Sequence, residues 1–114
     1  MPLLTIDSNV TLGGDEAQAL VRAASSRVAE LLGKPERYVM VKFEHNPQML
    51  FGGGDAPLAY LELKSIGLPE NRTAELSQAL CDLVSSHLGV PPDRVYIEFA
   101  DAARHMWGWN ADTF

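Results

Sequence analysis

Proline stands at position 2, directly after the initiator Met1 and before a largely apolar stretch at residues 3–6. A small second residue favours removal of the initiator methionine, and we expect Pro2 then to carry a free secondary amine. Such an amine, held in an apolar pocket, loses its preference for the charged form and acts as a base near neutral pH. The alternative is that Pro2 only begins a strand, where no ladder donor is needed. Met-Pro alone favours that alternative, because proline near a terminus is ordinary.

The other residue types that often carry chemistry are not arranged for it. Cys81 is the only cysteine, so the sequence excludes an internal disulfide and a dithiol redox motif. His45, His87 and His105 lack the spacing of metal ligands, and we predict no metal site. The three glycines at 52–54 are followed by neither a Lys-Ser/Thr pair nor a helix, which predicts a turn and not a phosphate-binding loop.

Composition bounds the class of protein. The chain has 114 residues, of which 46% are hydrophobic and 21% charged, values typical of a globular domain. The net charge is −6 and no basic cluster stands out, so we expect no nucleic-acid partner. No apolar run approaches the length of a membrane span, and the N-terminus lacks a signal-peptide pattern. These observations predict a cytoplasmic protein of one domain, residues 1–114, without a membrane partner.

The chain repeats itself with an offset of 56 residues, which divides it into halves of about 1–56 and 57–114. Residues 32–35, Leu-Gly-Lys-Pro, recur as residues 88–91, Leu-Gly-Val-Pro. Three further apolar pairs match in the same register: Val39 with Val95, Val41 with Ile97, and Phe43 with Phe99. Two copies are too few for a solenoid, so the repeat predicts a duplicated supersecondary unit.

Each half contains one amphipathic helix. Apolar residues recur at helical spacing over residues 15–32 and 70–88, and a glycine follows each stretch, at Gly33 and Gly89. Residues 71–73, Asn-Arg-Thr, also fit a glycosylation sequon. Because no secretion signal precedes them, we interpret them instead as first-turn and capping residues of the second helix.

Alternation and β-branched or aromatic residues predict four strands, at residues 3–6, 38–43, 59–63 and 95–99. Two strands that flank a helix pair in parallel through a right-handed crossover. We therefore predict an α+β fold in two layers, in which a duplicated βαβ unit forms a four-stranded mixed sheet with both helices on one face. The opposite face carries Met40, Tyr96 and the neighbours of Phe99, so it is not cleanly polar, and we expect an oligomer to cover it.

Six short motifs follow one another along the chain: Met1-Pro2; Gly33-Lys34-Pro35 with Tyr38; Phe51-Gly52-Gly53; Ser65-Ile66-Gly67; Pro92-Asp93-Arg94-Val95-Tyr96-Ile97; and Gly108-Trp109-Asn110 with Thr113-Phe114. With these motifs on a duplicated βαβ unit, the chain resembles the tautomerase superfamily. Within it, the chain is similar to the family of macrophage migration inhibitory factor and D-dopachrome tautomerase. The resemblance covers nearly the whole chain. It implies a homotrimer with active sites between neighbouring subunits, which would cover the open sheet face.

The resemblance also implies roles for individual residues. Pro2 corresponds to the catalytic base that moves a proton between carbon and oxygen in a keto–enol tautomerisation. Lys34 corresponds to the lysine that holds the substrate carboxylate, although a solvated lysine at a helix C-terminus is the alternative. Ile66 corresponds to a residue of the pocket wall that also contributes a backbone contact. Tyr96 would reach in from the adjacent subunit, and Trp109 belongs to the segment that closes the pocket.

Three features depart from the family pattern. Glu98 stands where asparagine is usual; a carboxylate there would favour a protonated proline and oppose Lys34, or would orient water or bind a substrate hydroxyl. Trp107 stands where a small aliphatic residue is common, and it would narrow the pocket or supply a stacking surface. Leu58 and Leu61 replace the family's Cys-x-x-Cys, so we expect no thiol oxidoreductase activity.

The resemblance implies an isomerase of the phenylpyruvate tautomerase type, acting on small 2-oxo acids with an aryl side chain and requiring no cofactor. The alternative is a signalling or interaction protein in which the tautomerase pocket is weak or vestigial. The retained Pro2, Lys34, Ile66 and Tyr96 favour the enzyme, whereas Glu98 slightly favours the alternative. The family resemblance also allows secretion without a leader, which the sequence itself does not show.

Overall fold

Two helices pack on one face of a four-stranded mixed sheet in the computed structural model, which describes all of residues 1–114. The main elements are β1 (Leu3–Ser8), α1 (Gly14–Leu32), β2 (Met40–His45), β3 (Ala59–Ile66), α2 (Thr73–Leu88) and β4 (Val95–Ala102). The strand order is β2-β1-β3-β4, with β1 parallel to β2, β3 parallel to β4, and the central pair antiparallel. The predicted duplicated βαβ fold is confirmed.

Alternation along the central strands separates the core from the open face. Leu4 and Ile6 of β1 are fully buried, and the intervening residues of the strand are not. The helices present one apolar stripe each to this surface: Leu20, Ala24, Val28 and Leu31 on α1, and Leu76, Leu80, Val84 and Leu88 on α2. Spacings of three and four residues put these side chains on one helical face. Neither helix is long and apolar enough to cross a membrane.

The predicted helix ends are right at their C-termini and partly wrong at the start of α2. Gly33 and Gly89 adopt left-handed conformations, with φ of 61° and 69°, and end the two helices. Residues 70–72 form a separate 3₁₀ turn, and the side chain of Arg72 caps nothing. Its guanidinium instead donates to the Leu31 carbonyl at 3.0 Å and to the Glu75 carboxylate. Arg72 and Thr73 therefore do lie at the cap and first turn of α2, as interpreted, but no side chain caps the helix, and Arg72 instead ties the start of α2 to the end of α1.

The sheet face turned away from the helices is more polar than the sequence indicated. The strand register brings six charged side chains onto it: Asp7, Lys42, Glu44, Glu62, Lys64 and Glu98. Met40 and Tyr96 are exposed there, at 64% and 66%, but Phe99 packs against the core on the other face. The open face is therefore apolar or aromatic only toward the ends of the strands, and its centre presents charge to any neighbouring copy.

A small C-terminal hairpin, which the sequence analysis did not predict, completes the chain. Its strands are β5 (Gly108–Trp109) and β6 (Asp112–Thr113), joined by a two-residue turn. Both turn residues, Asn110 and Ala111, have positive φ, at 53° and 60°. Two successive residues with positive φ give the turn that matches the twist of a tight hairpin. The hairpin holds Trp109 close to the start of the chain.

Candidate active site

A cavity of about 360 Å³ lies at the end of the sheet where β1 and β2 begin. Its walls come from the start of β1, the turn before β2, and the C-terminal hairpin. The lining residues are Met1, Pro2, Leu3, Arg37, Tyr38, Val39, Met40, Trp107, Gly108, Trp109 and Phe114. The volume suits a small aromatic ligand. Aliphatic and aromatic side chains dominate the walls, and no acidic side chain is among them.

Backbone hydrogen bonds fasten the start of the chain inside this cavity. The amide of Met40 donates to the Pro2 carbonyl at 3.0 Å, and the Met1 amine donates to the Tyr38 carbonyl at 3.1 Å. Pro2 itself is fully buried. The first strand is thus held at its very beginning by the segment that precedes β2, which fixes the place of the first amine.

The pKa of the Met1 amine is lowered from its ordinary value, first by burial and second by the charge of Lys34. Both causes disfavour the protonated form, because burial removes solvation and a like charge repels it. Pro2, one residue further in, is fully buried. An amine at this place is therefore predisposed to be a neutral base.

Lys34 directly follows Gly33, the residue that ends α1, and is half-buried. Its ammonium lies close to Gly67, where an added Cβ would stand 4.0 Å from Nζ. Lys34 makes no ion pair within the chain. Its charge is accordingly free to act on the amine or on an anion near it.

Three aromatic side chains form a packed cluster beside the amine. Trp109 stacks on Phe114 with ring centroids 5.2 Å apart and planes at 12°. Tyr38 meets both rings edge-on, at 5.4 Å from Trp109 and 5.8 Å from Phe114. Trp107 also lines the cavity, and its carbonyl accepts a hydrogen bond from the Phe114 amide at 3.2 Å. The hairpin and the turn before β2 thus hold one another in place.

Of these aromatic residues, Tyr38 and Phe114 were not predicted as site residues. Both were part of the motifs that carried the family resemblance, which is the signal that could have identified them. Ile66, which was predicted, ends β3 and is 7% exposed. The pairing of Leu3 with Lys64 brings the end of β3 alongside the start of β1. Ile66 therefore lies beside the site but does not line the cavity itself.

Tyr96 lies toward the opposite end of the sheet from Pro2, and Glu98 lies nearer the middle of the edge strand β4. Tyr96 pairs with Tyr60, which pairs with Asp7, four positions along β1 from Leu3. Four strand residues span about 13 Å. No side chain bridges that distance within one chain, so a single copy does not bring Tyr96 to the amine. Glu98 is level with Thr5, because it pairs with Glu62, and β3 separates its strand from β1. Tyr96 is exposed, and its ring packs on that of Phe51 at 4.6 Å.

Glu98 is engaged on the open face. The Tyr60 hydroxyl lies 2.7 Å from Glu98 Oε2 and 3.0 Å from Glu62 Oε1, and it donates its single proton to these two carboxylates. Hydrogen bonding to Glu98, then burial, then Glu62 raise the pKa of the Tyr60 hydroxyl. Lys64 lies 3.3 Å from Glu62 and offsets part of the negative charge. Glu98 therefore already has a partner in its own chain.

The glycine-rich turn, the metal-ligating residue types and the single cysteine lie outside this site. Gly52 and Gly53 have positive φ, at 61° and 80°, and Phe51 pairs with Gly54 across them, which confirms the predicted turn. No three His, Cys, Asp or Glu side chains converge as a metal ion would require. Cys81 is half-buried on α2, and burial raises the pKa of its thiol. At the amine end of the sheet, an amine and a cation lie beside a largely apolar cavity.

Comparison with known proteins agrees with this geometry. The model of the family described as macrophage migration inhibitory factor (MIF) matches residues 1–114. A MIF homolog from Brugia malayi is 37% identical over 116 residues, covering 100% of this chain and 99% of the relative. MIF from Mus musculus is 32% identical over 115 residues, with coverage of 100% and 99%.

Solved structures show the same relationship. The crystal structure of a MIF homologue from Prochlorococcus marinus superposes with a TM-score of 0.92 at 44% identity, covering 98% of both chains. MIF from Toxoplasma gondii also gives a TM-score of 0.92, at 34% identity, covering 98% of this chain and 99% of the other. The chain belongs to the macrophage migration inhibitory factor family.

Proposed function

We propose that the protein is a cofactor-free keto–enol tautomerase of phenylpyruvate-like 2-oxo acids and that the amine of Pro2, freed by removal of Met1, is the general base. One observation carries the proposal. The Met1 amine, one residue before Pro2, lies at a largely apolar cavity where burial and Lys34 lower its pKa. A base whose pKa lies near the working pH is the most effective for proton transfer.

The reaction moves one proton and creates no covalent bond to the protein. In the enol-to-keto direction, the neutral Pro2 nitrogen takes the proton of the enol hydroxyl and returns it to the adjacent carbon. The negative charge that develops on the substrate oxygen is offset by a nearby cation, and such preorganised charge is a large part of catalysis in a water-poor site. In the reverse direction the same nitrogen removes the carbon-bound proton.

Lys34 supplies that cation and binds the substrate carboxylate. It is half-buried and has no anionic partner in the chain, so its charge is not neutralised before substrate arrives. The aryl group of the substrate lies against the cluster of Tyr38, Trp109 and Phe114, with Trp107 narrowing the cavity. These positions put the substrate between an aromatic wall and a cation.

A homotrimer would complete the site. Tyr96 is exposed and lies at the far end of its own sheet from Pro2, so its contribution to a pocket requires another copy of the chain. Glu98 points from the same strand and face, two residues along. We propose that one subunit supplies Pro2, Lys34 and Ile66, and that a neighbour supplies Tyr96 and Glu98.

The test is an enol–keto assay with phenylpyruvate on tag-free protein whose loss of Met1 has been confirmed by mass spectrometry. The matched control is the same protein with one extra residue before Pro2, which converts the amine to an amide without basicity. We expect turnover by the first protein and a loss of about a hundredfold or more in the second. Full activity with the extension intact would exclude Pro2 as the base.

The second candidate is a MIF-like signalling or interaction protein with a weak or vestigial pocket. Two observations favour it: the relatives are named for inhibition of macrophage migration, and Glu98 places a carboxylate where family members usually carry an amide. A protein with a confirmed free Pro2 amine, assembled as an oligomer but without phenylpyruvate turnover, would support this candidate over the enzyme.

A further inference from the structure

Arg37 lies at the rim of the Pro2 cavity, over an aromatic ring. It is the middle residue of the 3₁₀ turn Glu36–Tyr38, which connects α1 to β2, and it is one of the lining residues. Its guanidinium carbon lies 4.8 Å from the centroid of the Tyr38 ring. A guanidinium held over a ring face by a cation–π contact keeps N–H donors that can bind a ligand.

Those donors have no partner in the chain. Arg27, Arg72 and Arg94 each bind a carboxylate or backbone carbonyls. Arg37 makes no such hydrogen bond and no ion pair, not even with the adjacent Glu36. It is also the only arginine among the residues that line the cavity. The position is therefore a preformed donor fork beside the candidate active site.

Two cations consequently flank one cavity to which their own chain contributes no acidic side chain. Lys34 lies on the side of the Met1 amine and Gly67. Arg37 lies on the side of the aromatic cluster, over Tyr38. The protein as a whole has a net charge of −6, so this local excess of positive charge runs against the balance of the chain. Apolar walls strengthen the attraction of such a site for anions.

We propose that Arg37 is a second anion-binding group and that the pocket prefers 2-oxo acids that carry another carboxylate at the end remote from the 2-oxo group. This inference rests on the proposed function, because it assigns the 2-oxo acid carboxylate to Lys34. The remote carboxylate then meets the guanidinium fork, whose planar geometry matches a carboxylate with two parallel hydrogen bonds. Arg37 contributes binding and orientation and takes no proton.

The kinetic experiment compares the enol of phenylpyruvate with the enol of its 4-carboxy analogue. Wild type is expected to show the higher kcat/KM for the 4-carboxy analogue. Arg37→Gln should lower kcat/KM for that analogue about tenfold, chiefly through KM, and change the value for phenylpyruvate by less than about twofold. Arg22→Gln, which removes the same charge from an exposed site on α1, is the matched control and should leave the ratio of the two values unchanged.

A binding experiment that needs no turnover separates this inference from the proposed function. Calorimetric titration with cinnamate and with 4-carboxycinnamate should show tighter binding of the dianion by wild type and by Arg22→Gln. In Arg37→Gln that preference should disappear. If the preference is absent from wild type, or survives in Arg37→Gln, the second subsite is excluded. If it depends on Arg37 while neither enol is turned over, the subsite stands and the tautomerase proposal fails.

Discussion

The two βαβ halves have the same plan but differ at the end where their strands begin. In the first half, Gly33 is followed by Lys34, a half-buried cation beside the Pro2 cavity. In the second half, Gly89 is followed by Val90, which is 0% exposed. The same position after a helix thus holds a free charge in one half and a fully packed apolar side chain in the other.

The 3₁₀ turns that follow differ in the same way. In the first half, residues 36–38 place Arg37 and Tyr38 at the cavity. In the second half, Arg94 occupies the position that corresponds to Tyr38. Its guanidinium donates to four carbonyls of one loop, those of Phe51 at 2.9 Å, Gly54 at 3.2 Å, Ala56 at 2.9 Å and Pro57 at 3.3 Å.

The difference shows how one supersecondary unit serves two purposes. Where an arginine and a loop close the strand ends, their donors and acceptors are satisfied within the chain and the end is structural. Where the corresponding end is left as a cavity, the Met1 amine and two unpartnered cations, Lys34 and Arg37, lie around it and are available to a ligand. Substitutions at Lys34, Val90 and Arg94 test this difference between the two halves.

The largest expected loss of stability comes from placing a lysine at Val90, the position in the second half that corresponds to Lys34 in the first. Val90→Lys would bury an unpaired ammonium in the core cluster, because Val90 is fully enclosed. We expect the free energy of unfolding to fall by about 3 kcal/mol or more. Urea denaturation measures the loss, with Val90→Ala as the control that removes packing without adding charge. Equal stabilities of the two variants would show that the closed end tolerates a cation.

Removing the cation that follows α1 in the first half should lower catalytic activity and leave folding unchanged. Lys34→Ala removes the group assigned to the substrate carboxylate, a charge-assisted contact worth about 1.5–3 kcal/mol, so kcat/KM for phenylpyruvate should fall about tenfold to a hundredfold. Lys42→Ala, an exposed lysine on the open sheet face, is the control. The loss of Lys34 should hardly change kcat/KM for the methyl ester of the substrate. Equal losses for acid and ester would exclude carboxylate binding.

Lys34→Ala should also move the pH dependence. The charge of Lys34 is the second cause, after burial, that lowers the pKa of the Met1 amine, and we expect it to act in the same way on the Pro2 amine once Met1 is removed. Without it the amine holds its proton to higher pH, so the acid limb of the kcat/KM profile should shift to higher pH. Rates across the pH range, with protein stability checked at each pH, measure the shift. If the acid limb of the kcat/KM profile does not move, burial alone sets the pKa of the Pro2 amine.

How far the sequence predicted these differences depends on the range of each interaction. The helices and central strands were predictable because their apolar spacing is a local pattern. The ends of both helices were predictable because a glycine directly follows each apolar stretch. The hairpin was not, since strands of two residues show no alternation and Ala111 is not a typical residue for positive φ. The packing of Tyr38 on Phe114 joins the two ends of the chain, and no local pattern encodes it.

The candidate site was predictable in part for the same reason. Pro2, Lys34 and the tryptophans were found through motifs, and the structure places Pro2, Trp107 and Trp109 around one cavity with Lys34 acting on the amine. The attachment of Glu98 to the Tyr60 hydroxyl was not foreseen, because it depends on the register of β3 with β4. Arg37 was passed over because an isolated arginine in a turn has no sequence signature.

A smaller loss of stability is expected from removing the hydrogen bonds by which Arg94 holds the loop of residues 51–57. Arg94→Met keeps the aliphatic stem but removes the donors to the loop, so the free energy of unfolding should fall by about 1–2 kcal/mol. Arg104→Met, an exposed arginine with no partner, is the control. Because Phe51 packs on Tyr96, the freed loop should also raise KM if a neighbour's Tyr96 enters the pocket. A stability loss without any change in KM would separate this loop from the site.

The smallest expected effect concerns Glu98, the polar departure on the open face of the sheet. In an assembled site its carboxylate would lie near a neighbour's Pro2, favour the protonated amine and so raise the pKa of that amine. Glu98→Gln keeps the size and removes the charge, so the acid limb of kcat/KM should move to lower pH, by less than about one unit given the exposure of the group. The direction is opposite to that expected for Lys34→Ala. Tyr60→Phe is the companion variant, because it frees Glu98 from its hydroxyl partner at 2.7 Å while keeping the charge, and it should shift the limb the other way or not at all. A limb that stays fixed in Glu98→Gln would put the carboxylate outside the site, and its hydrogen bond to Tyr60 would then be a purely structural link between β3 and β4.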